Sequence, residues 1–316
     1  MAILVTGGAG FIGSHLIDAL LEKGNEVKCI DNFSSGRKEF IEQSMDKGLE
    51  LIEGDLLNRD DIKKALSGCD TVFHLAANPD VRLGVENTEV HLEQNIIATY
   101  NLLEEMRKAD VKKIAFTSSS TVYGEAEQIP TPESYGPLIP ISLYGASKLA
   151  AEGLISAYCY TFDMQSVIYR FANVVGPRST HGVTYDFIKK LRENSHMLEI
   201  LGDGSQKKSY LYISDCIDAM LFGMEKSKRS KSKVEIFNIG SEDWVDVKKI
   251  ADIVSREMGL SPEYRFTGGV DGGRGWKGDV KIMRLSIDKL KNMGWKPEYG
   301  SKESIEMTAK WLISNL

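Results

Sequence analysis

The sequence predicts a doubly wound parallel α/β sheet with a smaller C-terminal domain. Three observations carry that expectation. A strand, a glycine-rich turn and an apolar helix follow one another at the N-terminus. Short apolar strand patterns then alternate with helix patterns through the first half, as a parallel sheet covered on both faces requires. After about Asn173 the pattern changes: prolines and glycines increase and strands shorten. At 316 residues the chain is long enough for one large or two smaller cores.

Taken in order, Ile3, Leu4 and Val5 read as a buried strand, and Leu16, Ile17, Leu20 and Leu21 as the apolar face of a helix. Between them, Gly7, Gly10 and Gly13 fit G-x-x-G-x-x-G, and Gly8, Gly10 and Gly13 fit G-x-G-x-x-G. Glycines there allow a tight turn and let a pyrophosphate approach the main chain, while the helix N-terminus offers N–H groups to the anion. The next strand, Val27 to Ile30, ends in Asp31, where an acid meets an adenosine ribose. Leu49 to Ile52 leads to Gly54 and Asp55, Thr71 to Leu75 to Ala76 and Ala77, and Lys113 to Thr117 to a serine cluster. Ser166 to Arg170 is a further strand, and helices are expected over Val90 to Arg107 and Gly145 to Tyr160. Ligands of such sheets sit at the carboxyl ends of the strands, which is where Asp31, Asp55, Ala76, Ala77 and the serines fall.

Beyond Asn173, Ser209 to Ile213 and Val234 to Asn238 still read as strands of the sheet, with a helix from Asp215 to Met224 between them. Gly268 to Gly278 holds six glycines with Arg274, Trp276 and Lys277, a composition expected of a mobile substrate loop. Ile287 to Leu316 reads as two short amphipathic helices around Gly294 to Pro297.

The net charge of −6 argues against a nucleic-acid surface, and the basic run Lys226 to Lys233 reads as a solvated loop. Four dispersed cysteines and five histidines without ligand spacing predict reduced core thiols and no metal site. No leader pattern and no apolar run of membrane-spanning length are seen, so a cytoplasmic location is expected, with no membrane partner.

Tyr144 and Lys148 lie four residues apart at the start of a predicted helix, so phenol and ammonium share a face. Tyrosine is a poor base at neutral pH, and a nearby cation stabilises its phenolate. The spacing alone is common on helix surfaces. Here Thr117 to Ser120, at a strand end, can bring a hydroxyl to the same substrate oxygen.

At these residues the chain resembles the extended short-chain dehydrogenase/reductase family, and within it the UDP-glucose 4-epimerases. The resemblance covers nearly the whole chain. It rests on Thr6 to Gly13, Asp31 to Gly36, Gly54-Asp55, His74 to Ala77, Asn95, Ser118 to Gly124, Tyr144 to Lys148 and Arg170 to Asn173. It implies NAD as cofactor, bound by a Rossmann domain over residues 1–172. Residues 209–239 would return to that sheet, and 173–208 with 240–316 would form a nucleotide-sugar-binding domain.

The resemblance also implies Ser119, Tyr144 and Lys148 as the catalytic set. Cofactor contacts would fall to Gly7, Gly10, Phe11, Ile12, Gly13, Asp31, Asn32, Ser35, Gly36, Asp55, Leu56, Leu75, Ala76, Ala77, Asn95 and Ser118, joined by Tyr144 and Lys148. Substrate contacts would fall to Arg82, Ser119, Ser120, Tyr144, Asn173, Lys208, Arg274 and Met283. The implied reaction inverts C4 of a UDP-sugar, with UDP-glucose and UDP-galactose as the first pair. UDP-glucuronate or UDP-N-acetylhexosamine is the alternative substrate, and a non-catalytic NAD-binding sensor the alternative role.

Related dehydratases and decarboxylases carry a carboxylate just before Val-Tyr-Gly, where this chain has Ser120 and Thr121, so elimination lacks its acid or base. Two positions depart from the epimerases: lysines stand at 207 and 208 where an arginine is usual, and Trp276 stands where a phosphate-binding arginine is usual. In the family, helices matching those expected here pair across a two-fold axis into a four-helix bundle, so a homodimer is expected through apolar residues such as Ile96, Ile97, Leu102, Leu154 and Ile155.

Overall fold

A computed structural model describes all 316 residues. The chain forms two compact units, one of residues 1–122, 143–170 and 220–237, the other of 123–142, 171–219 and 238–316.

The first unit is built on a seven-stranded parallel sheet. In chain order its first six strands are β1 (Ala2–Thr6), β2 (Val27–Asp31), β3 (Glu50–Glu53), β4 (Cys69–His74), β5 (Lys113–Ser119) and β6 (Gln165–Phe171). The strand Val234–Ile239 completes the sheet next to β6, and the spatial order from there is β6, β5, β4, β1, β2, β3. The order reverses at β1, which lies between β2 and β4 with Thr6 opposite both Ile30 and His74. This reversal opens the crevice where such sheets bind ligands.

The strands are apolar because helices cover the sheet. Leu4, Ile30, Val72, Ile114 and Ile168 pack with Leu102 and Met106 of the helix Ala98–Lys108 and with Ala151, Ile155 and Cys159 of the helix Leu143–Phe162. Leu102 and Ile155, expected at a dimer face, are therefore spent on this chain's own core. The exposed apolar side chains on and next to these helices are Ile97, also expected at that face, with Leu92, Tyr100, Leu143, Tyr160 and Phe162.

The helix predicted over Val90 to Arg107 carries an irregularity that the sequence did not announce. Between Glu89–His91 and Ala98–Lys108, residues Leu92–Ile97 form a π-helical stretch. Asn95 sits inside it, buried.

In the second unit the helices Val183–Glu193, Val247–Glu257 and Ser301–Asn315 pack through Phe187, Ile188, Ile250, Val254, Ile305 and Leu312. Asp246 caps the second of them by accepting from Lys249 N at 2.7 Å. Tyr210–Tyr212, expected in the main sheet, pairs instead with Asn173–Val175 in a separate two-stranded sheet. A short apolar run of this kind fits either sheet, so pattern alone could not choose the partner. All four cysteines are buried and unpaired, and no helix is long and apolar enough to cross a membrane.

Candidate active site

The glycine turn leaves β1 beside the end of β4. Gly7 has φ of 68°, and a Cβ on it would stand 2.7 Å from the backbone N and Cα of Ala76. A Cβ on Gly13 would stand 2.3 Å from the Gly7 carbonyl oxygen. Only glycine fits either position. The helix Phe11–Glu22 starts at Gly10 without a side-chain cap, so no side chain occupies its first N–H groups.

Asp31 closes the far side. Its Oδ2 accepts from Ala9 N at 2.9 Å and its Oδ1 from Phe33 N at 2.8 Å. Burial lifts its pKa, and the two N–H donors hold that rise back. Gly36 lies against the same carboxylate, since a Cβ there would be 2.9 Å from Oδ1. Asn32 donates to Asp55 Oδ2 at 2.9 Å. Gly7, Gly10, Gly13, Asp31, Asn32, Gly36, Asp55 and Ala76 are thus brought together, and the uncapped helix and oriented acid fit a dinucleotide. Leu56 differs: its side chain belongs to the hydrophobic core.

A buried relay ties this turn to Asn95. Thr6 Oγ1 accepts from Ala76 N at 3.2 Å and lies 2.8 Å from His74 Nδ1. His74 Nε2 lies 2.9 Å from Thr99 Oγ1, which donates to the Asn95 carbonyl at 2.6 Å. Thr99 can only accept from His74, so Nε2 carries the proton and Nδ1 accepts from Thr6. Burial holds the His74 pKa down at about 3, which keeps this neutral tautomer. Asn95 in turn accepts from Asn78 N at 2.8 Å and donates to Ser147 Oγ at 2.9 Å.

The chemistry stands at the end of β5. This strand runs two residues further than its apolar pattern, so Ser118 and Ser119 belong to it. Ser119 Oγ accepts from Thr121 N at 3.2 Å and from Thr121 Oγ1 at 3.0 Å, and it also bonds the Tyr144 phenol. With two donors already aimed at it, Ser119 sends its own proton toward the phenol oxygen. Lys148 is buried. Its Nζ donates to the Thr117 carbonyl at 2.9 Å and stands 5.8 Å from the centroid of the Tyr144 ring.

Burial dominates both titrations. It raises Tyr144 to about 12, against the hydrogen bond from Ser119, and lowers Lys148 to about 7, against the charge of Glu152. The sequence predicted that the nearby Lys148 cation would stabilise the phenolate. In the protein's own groups, desolvation outweighs the hydrogen bond from Ser119.

The proposed substrate residues of the second unit also converge. Lys208 Nζ donates to Asp279 Oδ1 at 2.6 Å, and Met283 is its register partner on the neighbouring strand. Arg274 donates to the Asp279 carbonyl at 3.1 Å and to Glu125 Oε2 at 2.6 Å. Both cations expected at a diphosphate therefore hold carboxylates. The segment around them is tied into hydrogen-bonded turns, with Val270 and Arg274 exchanging N–H···O bonds at 3.0 and 2.8 Å. Asn173 donates to the Ser209 carbonyl at 3.4 Å. Arg82 belongs to the first unit, where it is exposed at 3.8 Å from Asp80. The sequence held Thr6, Ser147 and Arg170 within its motifs without giving them a role, and it passed over Glu152 and Thr99. For Glu152 a signal existed, because it comes after Tyr144 and Lys148 at the same four-residue spacing.

Comparison with known proteins agrees with this geometry. Residues 3–240 match the NAD dependent epimerase/dehydratase family. A putative UDP-glucose 4-epimerase of Methanocaldococcus jannaschii is 36% identical over 99% of each chain. A crystal structure of UDP-galactose 4-epimerase superposes with a TM-score of 0.90 at 45% identity over 100% of both chains. The UDP-glucose 4-epimerase of Thermotoga maritima, solved with UDP-glucose, superposes with a TM-score of 0.85 at 33% identity over 98% of both. The glycine turn, the serine–tyrosine–lysine set and these matches agree, and the chain belongs to the NAD dependent epimerase/dehydratase family.

Proposed function

We propose that the chain is a UDP-sugar 4-epimerase whose best substrates are UDP-glucose and UDP-galactose. The single observation that carries the reading is the set of Ser119, Tyr144 and Lys148 at the end of β5, with hydroxyls and no carboxylate at residues 120 and 121. Bound NAD would supply the acceptor, and then the donor, of the hydride at the sugar C4. Tyr144 takes the proton of the 4-hydroxyl and returns it. Ser119 bonds the same oxygen and relays that proton, giving its own to the phenolate as it receives the sugar's. Lys148 stabilises the phenolate from behind, held in place by the Thr117 carbonyl. The 4-keto sugar turns over between the two steps, so the cofactor ends unchanged. Thr121, which donates to Ser119, has no carboxylate with which to assist elimination.

In the second unit, Lys208 and Arg274 are the proposed partners of the diphosphate, exchanging Asp279 and Glu125 for it. Asn173 is proposed to meet the same group. Met283 borders the sugar 2-substituent in this reading. Methionine is intermediate in size and yields readily, and one group in such a pocket changes selectivity by only about 1–3 kcal/mol.

The test is a product screen with UDP-glucose, UDP-galactose, their N-acetyl forms and UDP-glucuronate. Interconversion of the first pair is expected to be fastest, with slower but measurable turnover of the N-acetyl pair. No turnover of any of them would remove the reading. A preference for UDP-glucuronate would keep the reaction and change the sugar.

The active form is proposed to be a homodimer in the cytoplasm. Leu92 and Tyr160 are 51% and 63% exposed on helical segments that in this family form a four-helix bundle. Sedimentation at micromolar concentration is expected to give twice the mass of the chain, and the mass of a single chain would refute the dimer.

A further inference from the structure

The helix Leu143–Phe162 presents a third polar side chain in line with Tyr144 and Lys148. Glu152 lies one turn beyond the lysine and is 5% exposed. Arg170, on β6 and 3% exposed, donates to both of its oxygens, from Nε at 3.0 Å and from Nη2 at 2.6 Å. Ser118 Oγ donates to it as well, at 2.5 Å. A buried ion pair alone is weak grounds for a role in catalysis. This pair differs in what it joins. Ser118 immediately precedes Ser119 on β5, and Thr117, whose carbonyl holds the Lys148 ammonium, immediately precedes Ser118. Glu152 thus bonds the strand end that carries the catalytic hydroxyl, on the helix that carries the catalytic lysine.

The other charged or titratable groups around Lys148 offer it no counter-charge. They are Tyr144 on its own helix, His74 on β4, His91 against the Tyr144 ring, and Arg170. Glu152 is the carboxylate whose charge acts on Lys148. Without it, two cations would share a dry interior.

We propose that Glu152 is a positioning residue for the epimerisation proposed above: its charge keeps Lys148 an ammonium, and its bond from Ser118 sets the strand end bearing Ser119. The inference rests on that functional reading and acts through Lys148, not on the substrate. Burial already brings Lys148 down to about 7 with Glu152 in place. Removing the carboxylate lowers it further, so the ammonium is lost at lower pH.

The test compares Glu152→Gln, which keeps shape but not charge, with Glu152→Asp, which keeps charge. In Glu152→Gln the alkaline limb of the kcat–pH profile is expected to move down by about one unit or more. In Glu152→Asp the limb stays near the wild-type position, whatever happens to its height. A second readout needs no turnover. Glu152 lies one turn from Lys148 and two from Tyr144, so losing its charge discharges the lysine first. In the NAD-loaded protein, where the charge of the oxidised nicotinamide lowers the phenol toward the range in which Lys148 titrates, the phenolate absorbance of Tyr144, taken against a Tyr144→Phe blank, is then expected at higher pH in Glu152→Gln than in wild type.

If Glu152→Gln alone does not fold, the double variant Glu152→Gln/Arg170→Met removes the pair without stranding the guanidinium, and its limb is expected to move in the same direction. A lower kcat with an unmoved alkaline limb and an unmoved phenolate titration would overturn the proposal and leave Glu152 a purely structural residue. A wild-type protein inactive on every UDP-sugar would instead remove the functional reading, and the phenolate titration would still decide the role of Glu152.

Discussion

Replacing Tyr144 with phenylalanine is expected to lower kcat by about 10²–10⁴-fold while NAD binding survives. The substitution removes one oxygen and leaves the ring, so the helix start and the contact with the His91 ring, 5.7 Å between centroids, are kept. What is lost is the atom that takes the sugar proton. Ser119 cannot replace it, because a serine hydroxyl with Thr121 donating to it twice is a worse base than the phenol. The glycine turn and Asp31 are untouched, so the cofactor remains. The measurement is steady-state turnover of UDP-galactose beside a cofactor-content assay. Turnover within a few-fold of wild type would remove Tyr144 from the mechanism. Loss of NAD alongside activity would show instead that the ring is part of the cofactor site.

The second large effect concerns stability. Arg170→Ala is expected to destabilise the protein by about 3–5 kcal/mol, because it leaves the Glu152 carboxylate buried with only Ser118 donating to it. The loss should appear as a fall in the denaturant midpoint. The double variant Glu152→Gln/Arg170→Met is expected to recover most of it, since a buried pair replaced as a whole often costs little. An Arg170→Ala midpoint within experimental error of wild type would mean that water reaches the carboxylate. A double variant as unstable as the single one would mean that the guanidinium is held there by packing and not by charge.

Much of the first unit was legible because its signals are local. The strand β1, Gly7 to Gly13 and the helix after them follow one another within a few residues, and Gly7 and Gly13 each have a contact only glycine permits. Tyr144 and Lys148 are likewise a local spacing on one helix. What failed to show was the identity of distant partners. Lys208 and Arg274 read as cations for a diphosphate, yet their carboxylates, Asp279 and Glu125, lie 71 and 149 residues away in sequence. The apolar faces carrying Leu102 and Ile155 announced burial but not what covers them, and the sheet of their own unit does. Tyr210–Tyr212 announced a strand but not its neighbour. Glu152 stood at a legible spacing, but an acid on a helix reads as solvated unless the strands beneath it are known. The raised pKa of Tyr144 also needed the structure, because spacing places a lysine beside it and says nothing about how dry the place is.

The π-helical stretch Leu92–Ile97 has a consequence for how this site tolerates change in length. Bonds from i to i+5 fit one more residue into a turn than bonds from i to i+4. Deleting a single residue there would let the whole segment from Glu89 to Lys108 become an uninterrupted α-helix, a gain in regularity. It would leave the residues before and after the deletion facing as they do now, because one residue fewer at α-helical pitch covers the same turn. Val90, His91, Leu102 and Met106 would stay in the interior, and what would be lost is the placement by which Asn95 faces Asn78 and Ser147 together with the carbonyl that Thr99 bonds. The site depends on a counting irregularity. At this point a shorter, straighter helix would keep the fold and lose the site.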